Sequence, residues 1–153
     1  RYTKAYVEFL HPNQKIERAA NYIRQYGAWD AADGDLVPHL LAHSLQREIR
    51  FLTPEGELDP AREPIMPRFN RWSAVSVTYL DANHYEAWVN GRRTEVDPDG
   101  NCLFRAVLMG MNQQTTSPSR SEIQHLRNMA AEELLTHRDQ YENFIADGNP
   151  PGR

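Results

Sequence analysis

One cysteine in this chain stands where a thiol could carry out acyl transfer. Residues 97–107 read DPDGNCLFRAV, so a tight polar turn runs into Cys102 and an apolar pattern of helical period follows directly. This pattern predicts a thiol at a helix N-terminus, where the helix dipole and unpaired backbone N–H groups favour the thiolate. The alternative for a lone cysteine is a small buried residue.

The same turn predicts hydrogen-bond donors for an oxyanion. Acyl transfer builds negative charge on a carbonyl oxygen, which backbone N–H groups stabilise. The turn at 97–101 stacks several such donors just before the sulfur.

A thiolate hydrolase also needs a base near the sulfur and a group that orients the base. Of six histidines, His84 is the candidate because it opens a predicted strand over 84–89. The hairpin signal Asn90-Gly91 returns a strand over 92–96 alongside it, so the loop before Cys102 emerges near His84. Glu86 lies two residues on, on the same sheet face, where its carboxylate can hold the imidazole. The alternative for His84 is a histidine at a strand edge.

Two metal-site patterns fail on inspection. His39 and His43 have the spacing of two ligands on one helix, but no Glu follows His39 and no third ligand is evident. The turn at 97–101 resembles a calcium loop, yet Leu108 stands where the closing Glu belongs. The sequence therefore predicts no metal site.

The elements that position these residues follow from periodicity and turn chemistry. Helices are predicted over 14–26 and 36–47, with Asn13 and Asp35 as N-caps. A strand near 48–53 and an irregular stretch over 57–71 precede an antiparallel meander of strands at 73–80, 84–89 and 92–96. Helices follow at about 102–111, after the capping box at 119–122, and around 141–145. This order predicts one α+β domain.

Composition excludes several classes of function. The chain has 153 residues, 40% hydrophobic and 25% charged, which is typical of a soluble globular domain. A net charge of -4 without any basic run argues against a nucleic-acid surface. No apolar run is long enough to cross a membrane. A single cysteine excludes an internal disulfide and fits a reducing, cytosolic environment.

The motif at 99–106, DGNCLFRA, closely resembles the active-site motif of the ovarian-tumour (OTU) family of cysteine deubiquitinases. Residues 126–145 resemble the helices that follow that motif in the family. Residues 27–29, 34–42, 49–51 and 83–86 resemble elements that come later in the family, but here they precede Cys102. This order implies a circular permutation, with the usual ends joined through 90–93 and new ends opened between the 139–146 helix and the 14–26 helix.

The resemblance implies a papain-like (OTU) fold, in which helices flank an antiparallel sheet. A His-bearing half of about 1–96 and a Cys-bearing half of about 97–147 would form one domain over 1–153. Cys102 would be the nucleophile and His84 the base, with either Glu86 or Asp99 as the acidic partner. The resemblance also implies that the oxyanion is stabilised by backbone N–H groups, those of Asp99, Gly100, Asn101 and Cys102. Tyr85 and Trp88 are predicted to line a channel for the ubiquitin tail.

The resemblance further implies a deubiquitinase that hydrolyses the isopeptide bond after the C-terminal Gly-Gly of ubiquitin. It implies no cofactor, ubiquitin and polyubiquitin chains as partners, and a monomer. Permuted, isolated OTU domains are similar to bacterial effectors, which implies secretion into a host cytoplasm. The alternatives are a ubiquitin-binding module without turnover and a hydrolase for a ubiquitin-like modifier.

Overall fold

The computed structural model describes residues 12–30 and 33–146. In chain order its elements are α1 (Pro12–Arg24), α2 (Asp33–Leu45), β1 (Arg47–Phe51), β2 (Trp72–Leu80), β3 (His84–Val89), β4 (Arg92–Thr94), α3 (Cys102–Asn112), α4 (Arg120–Thr136) and α5 (Arg138–Ala146). Helices and a mixed sheet make the fold α+β, as predicted.

Helix starts depart from the sequence prediction at two places. Helix α1 begins at Pro12, so Asn13 lies inside the helix and does not cap it. Proline is favoured at the first helical position, where its missing N–H costs nothing. Helix α2 begins at Asp33, which places Asp35 in the first turn, where its charge faces the positive end of the helix dipole. The capping box of Ser119 and Glu122 at the start of α4 is confirmed.

The four strands form one sheet in the order β1-β2-β3-β4. The predicted meander is confirmed, because β2–β3 and β3–β4 are both antiparallel. The prediction of a wholly antiparallel sheet is wrong, since β1 pairs with β2 in parallel. The irregular stretch over 52–71 is a crossover long enough to bring the chain back to the same end of the sheet.

Two tight turns fix the register of the meander. Asn90 and Gly91 have φ of 53° and 76°, as a two-residue hairpin turn requires. At the other end of β3, Ala82 and Asn83 have φ of 63° and 61° and turn the chain directly into His84. His84 therefore stands at the end of β3 that is farther from the hairpin turn.

The core lies between the sheet and the helices. Helix α3 packs on β2 and β3, and α4 packs against α1, α2 and α3. Gly110 permits the close approach of α3, because a Cβ there would stand 2.8 Å from Val75 Cγ1. Within the described residues, no helix is both long and apolar enough to span a membrane.

Candidate active site

The nucleophile candidate stands at the junction of the sheet and α3. Cys102 is the first residue of α3 and only 3% of its surface is exposed. Its thiol donates to the backbone carbonyl of Asn83 over 3.6 Å, in the turn that leads into β3. The start of β3 and the start of α3 therefore meet.

Cys102 and His84 line the same cleft, which encloses about 310 Å³. The structure thus brings the predicted nucleophile and base together. His84 Nε2 lies 3.6 Å from Glu86 Oε2. His84 Nδ1 is buried and has no hydrogen-bond partner among the described residues. Glu86 therefore lies beside one ring nitrogen, and the other ring nitrogen has no partner in the described part of the chain. The cleft's other lining residues are Gly27, Trp29, Asp30, Ala82, Asn83, Pro98, Asp99 and Gly100.

The two candidate carboxylates occupy different environments. Glu86 is buried on β3 between His84 and Arg93, whose Nε lies 3.6 Å from Glu86 Oε1. Asp99 Oδ1 instead accepts from Arg105 Nη1 at 2.8 Å and from the Asn101 N–H at 2.9 Å. The carboxylate beside His84 is thus Glu86, and Asp99 shapes the loop before Cys102.

The pKa of Asp99 agrees with that assignment. Burial acts to raise it, but the hydrogen bonds from Arg105 and the Asn101 N–H, together with the charges of Arg105 and Arg127, outweigh burial. The net pKa lies below the usual value for Asp, so the carboxylate is charged at neutral pH.

The expectation that the helix start favours the thiolate is wrong for this resting structure. Burial raises the pKa of the Cys102 thiol, and the charge of Asp99 adds to the effect. Backbone N–H groups of Tyr85 and Leu103 act in the opposite direction, yet desolvation is the largest contribution. The sulfur is therefore protonated at neutral pH unless His84 takes the proton.

The structure narrows the predicted set of oxyanion donors. The N–H groups of Asp99 and Cys102 bond to carbonyls of residues 97 and 99, and the Asn101 N–H bonds to the Asp99 side chain. Within residues 12–30 and 33–146, the Gly100 N–H alone of the four donors has no partner. Gly100 also lines the cleft, so among the four predicted donors its N–H remains the candidate that has no other partner.

Two side chains hold this loop. Asn101 Oδ1 accepts from the Gly27 N–H at 2.8 Å and from Arg127 Nε at 3.0 Å. The sequence reasoning named Asn101 only for its backbone N–H and gave Arg127 no role. Arg127 lies four residues after Ile123 and three before Ala130, so its helical spacing from two apolar residues was the available signal.

The predicted channel residues do not line the cleft. Tyr85 is 1% exposed and packs edge-on against Trp29 and Tyr79. Trp88 donates from Nε1 to Thr78 Oγ1 at 2.7 Å. Residue alternation predicts which residues of a strand share a face, but not which face borders the cleft. Trp29, from the loop after α1, lines the cleft instead.

The two helix histidines take part in packing. The His39 ring contacts the Phe144 ring at 5.4 Å, and His43 Nδ1 accepts from the Arg68 backbone N–H at 3.1 Å. In the described part of the chain, no group of three or more His, Cys, Asp or Glu side chains is placed to hold a metal ion.

A cysteine and a histidine in one cleft, with a carboxylate beside the histidine, define a thiol-hydrolase type of site. The sequence model of the family described as OTU-like cysteine protease matches residues 97–150. The match covers the loop before Cys102 together with α3, α4 and α5, and it supports the OTU family and a cysteine peptidase. Comparisons with curated proteins and with solved structures gave no match.

Proposed function

We propose that this chain is a deubiquitinase that hydrolyses the isopeptide bond after the C-terminal Gly-Gly of ubiquitin. The observation that carries the proposal is the shared cleft of Cys102 and His84, formed where the OTU-like motif begins. Glu86, 3.6 Å from His84 Nε2, supplies the negative charge that an imidazolium needs.

In the proposed reaction, His84 takes the proton of the Cys102 thiol through Nδ1, the ring nitrogen that is not beside Glu86, and the thiolate attacks the glycine carbonyl. The Gly100 N–H donates to the oxyanion. His84 then protonates the departing lysine amine, which leaves a thioester on Cys102. His84 next takes a proton from water, whose oxygen attacks the thioester, and the thiol and the free ubiquitin carboxylate are regenerated.

The resting hydrogen bond of the thiol sets the first step. In the free protein the Cys102 thiol donates to the Asn83 carbonyl. In the proposed mechanism, attack begins when this proton transfers to His84, the residue that follows Asn83 in the chain. Burial raises the pKa of the Cys102 thiol and so favours the neutral thiol over the thiolate. Charge separation is therefore expected mainly when substrate fills the cleft and Glu86 stabilises the imidazolium.

Gly27 and Gly100 both line the cleft, and a Cβ on Gly100 would collide with the Gly27 carbonyl. This part of the cleft wall therefore depends on glycine at position 100. Polyubiquitin chains are the natural substrates in this proposal, and a ubiquitin-like modifier with the same Gly-Gly ending is the alternative substrate.

The proposal includes a circularly permuted OTU domain with a papain-like fold that acts as a monomer. Its support is that α1 packs against α5, with Arg138 Nη2 3.5 Å from Glu17 Oε1. The two helices between which the new ends are postulated therefore pack side by side. The hairpin at Asn90-Gly91 supplies the joint between the usual ends. By its resemblance to bacterial effectors, the enzyme would act in a reducing host cytoplasm, where Cys102 stays a free thiol.

A suicide probe tests the function directly. Ubiquitin with an electrophile at its C-terminus should form a covalent adduct with the wild-type chain and none with the Cys102→Ser variant. Parallel probes on ubiquitin-like modifiers test the choice of modifier. A folded protein that binds ubiquitin but leaves Cys102 unmodified would contradict the proposal and favour a ubiquitin-binding module.

A further inference from the structure

A guanidinium is buried directly behind the loop that precedes Cys102. Arg127, on α4, is 1% exposed and is the largest fully buried side chain among the described residues. Its guanidinium carbon lies 4.3 Å from the centre of the Phe104 ring. Burial lowers the pKa of Arg127 to about 10, so it remains a cation at neutral pH.

The Arg127 side chain joins two loops of the cleft through four hydrogen bonds. On the side of α1, it donates to the carbonyls of Ile23 at 2.8 Å and Ala28 at 3.0 Å. On the side of the nucleophile, it donates to the Gly100 carbonyl at 2.6 Å and to Asn101 Oδ1 at 3.0 Å. Asn101 Oδ1 also accepts from the Gly27 N–H, so it bridges the same two loops.

These bonds fix the peptide that links Gly100 to Asn101. Its carbonyl is held by Arg127, and its N–H is held by Asp99 Oδ1 at 2.9 Å. A peptide anchored at both ends cannot rotate, because the unit is planar. The neighbouring peptide carries the Gly100 N–H, whose direction therefore depends on this anchor.

We propose that Arg127 is a positioning residue that holds the Gly100–Asn101 peptide so that the Gly100 N–H faces the oxyanion. The inference rests on the proposed function and deepens it, because it names the group that preorganises the donor. A guanidinium can bind these four acceptors at once because its nitrogens form one planar fork. A lysine has a single nitrogen and cannot reach all four.

Two small reagents separate this role from a general structural one. 4-Nitrophenyl acetate acylates a thiolate, passes through a tetrahedral oxyanion and releases 4-nitrophenolate. Iodoacetamide alkylates the same sulfur by displacing iodide, without an oxyanion. The ratio of the two rates at Cys102, after subtracting the Cys102→Ser background, reports on the donor alone.

The test compares the wild-type chain with Arg127→Lys, with Asn101→Ala and with the control Arg138→Lys on the surface of α5. We expect the acylation rate of Arg127→Lys to fall at least about tenfold while alkylation stays within about twofold of wild type. Asn101→Ala should show the same selective loss, and Arg138→Lys should show none. The melting temperature verifies folding, and if Arg127→Lys does not fold, Asn101→Ala decides by the same criterion.

Two outcomes would overturn the inference. One is a folded variant in which both acylation and alkylation keep their wild-type rates, and the other is an equal fall of both rates. Neither reagent contains ubiquitin, so a wild-type chain that fails to cleave ubiquitin conjugates would count against the proposed function while this comparison still decides the role of Arg127.

Discussion

Substitution of Gly100 by alanine should test the contact on which the cleft depends. Cβ atoms in proteins essentially never approach another heavy atom closer than 3.0 Å, and a Cβ on Gly100 would come more than 1 Å closer than that to the Gly27 carbonyl oxygen. The carbonyl belongs to the backbone, so it cannot rotate away as a side chain can. Overpacking of this kind costs about 1–3 kcal/mol of unfolding free energy. For a domain of this size, that corresponds to a melting temperature roughly 2–12 °C lower.

The activity loss should exceed what the stability loss alone would give. The clash moves the Gly100 N–H or the Gly27 loop by about 1 Å, and a misplacement of that size lowers catalytic efficiency by about 100-fold. The assay is kcat/KM for release of a fluorophore from the ubiquitin C-terminus, measured at a temperature where circular dichroism shows the variant folded.

Gly34→Ala is the matched control for this substitution. Its Cβ would lie 3.8 Å from the Tyr85 hydroxyl, an ordinary contact, and the residue is in α2, where alanine is favoured. We expect it to keep wild-type activity and stability. A Gly100→Ala protein with activity within twofold of wild type and an unchanged melting temperature would refute the described packing of the two loops.

Three further substitutions separate the roles of the site residues. Glu86→Gln should lower kcat at least about tenfold with little change in KM, because the imidazolium loses its charge partner, and steady-state kinetics checks this. Asp99→Asn should cost at most about 1 kcal/mol of unfolding free energy at neutral pH, measured by urea unfolding, because the Asp99 side chain is 45% exposed and solvent screens its ion pair. Because the pKa of Asp99 is lowered in the folded state, this stabilisation is fully present above pH 3.8 and is lost as the pH falls through the folded-state pKa. A difference in unfolding free energy between wild type and Asp99→Asn that stays the same at acid pH would contradict the ion pair. In His84→Ala, the rate of Cys102 alkylation plotted against pH should rise with a midpoint above pH 9.0, because burial raises the pKa of the thiol. The wild-type chain should react at lower pH. Identical pH profiles for the two proteins would show that His84 does not take the proton.

The sequence predicted the juxtaposition of Cys102 and His84 because local signals determine it. The Asn90-Gly91 turn and the alternation of β3 specify a hairpin, and a hairpin must return the chain to the end where its first strand began. The structure adds only that the turn at Asn83 places a carbonyl against the thiol. Short-range turn chemistry thus suffices for the central pair.

Long-range contacts were beyond the reach of the sequence. The parallel pairing of β1 depends on the path of the 52–71 crossover, which carries no periodic signal. The choice between Glu86 and Asp99 depends on side-chain directions, because Asp99, in the loop before α3, pairs with Arg105 inside that helix. Likewise, a helix start predicts a lowered thiol pKa only when burial does not outweigh it.

The loop before Cys102 explains why the order of the two halves along the chain matters little to the proposed site. The loop is held by Asn101 to Gly27, by Arg127 on α4 and by the thiol to Asn83. The residues in each of these contacts are far apart along the chain, so each contact survives if the chain is cut and rejoined elsewhere. What a permutation requires is that the usual ends can be linked and that the new ends lie at the surface. A two-residue hairpin between β3 and β4 meets the first need, and the packing of α1 beside α5 is compatible with the second.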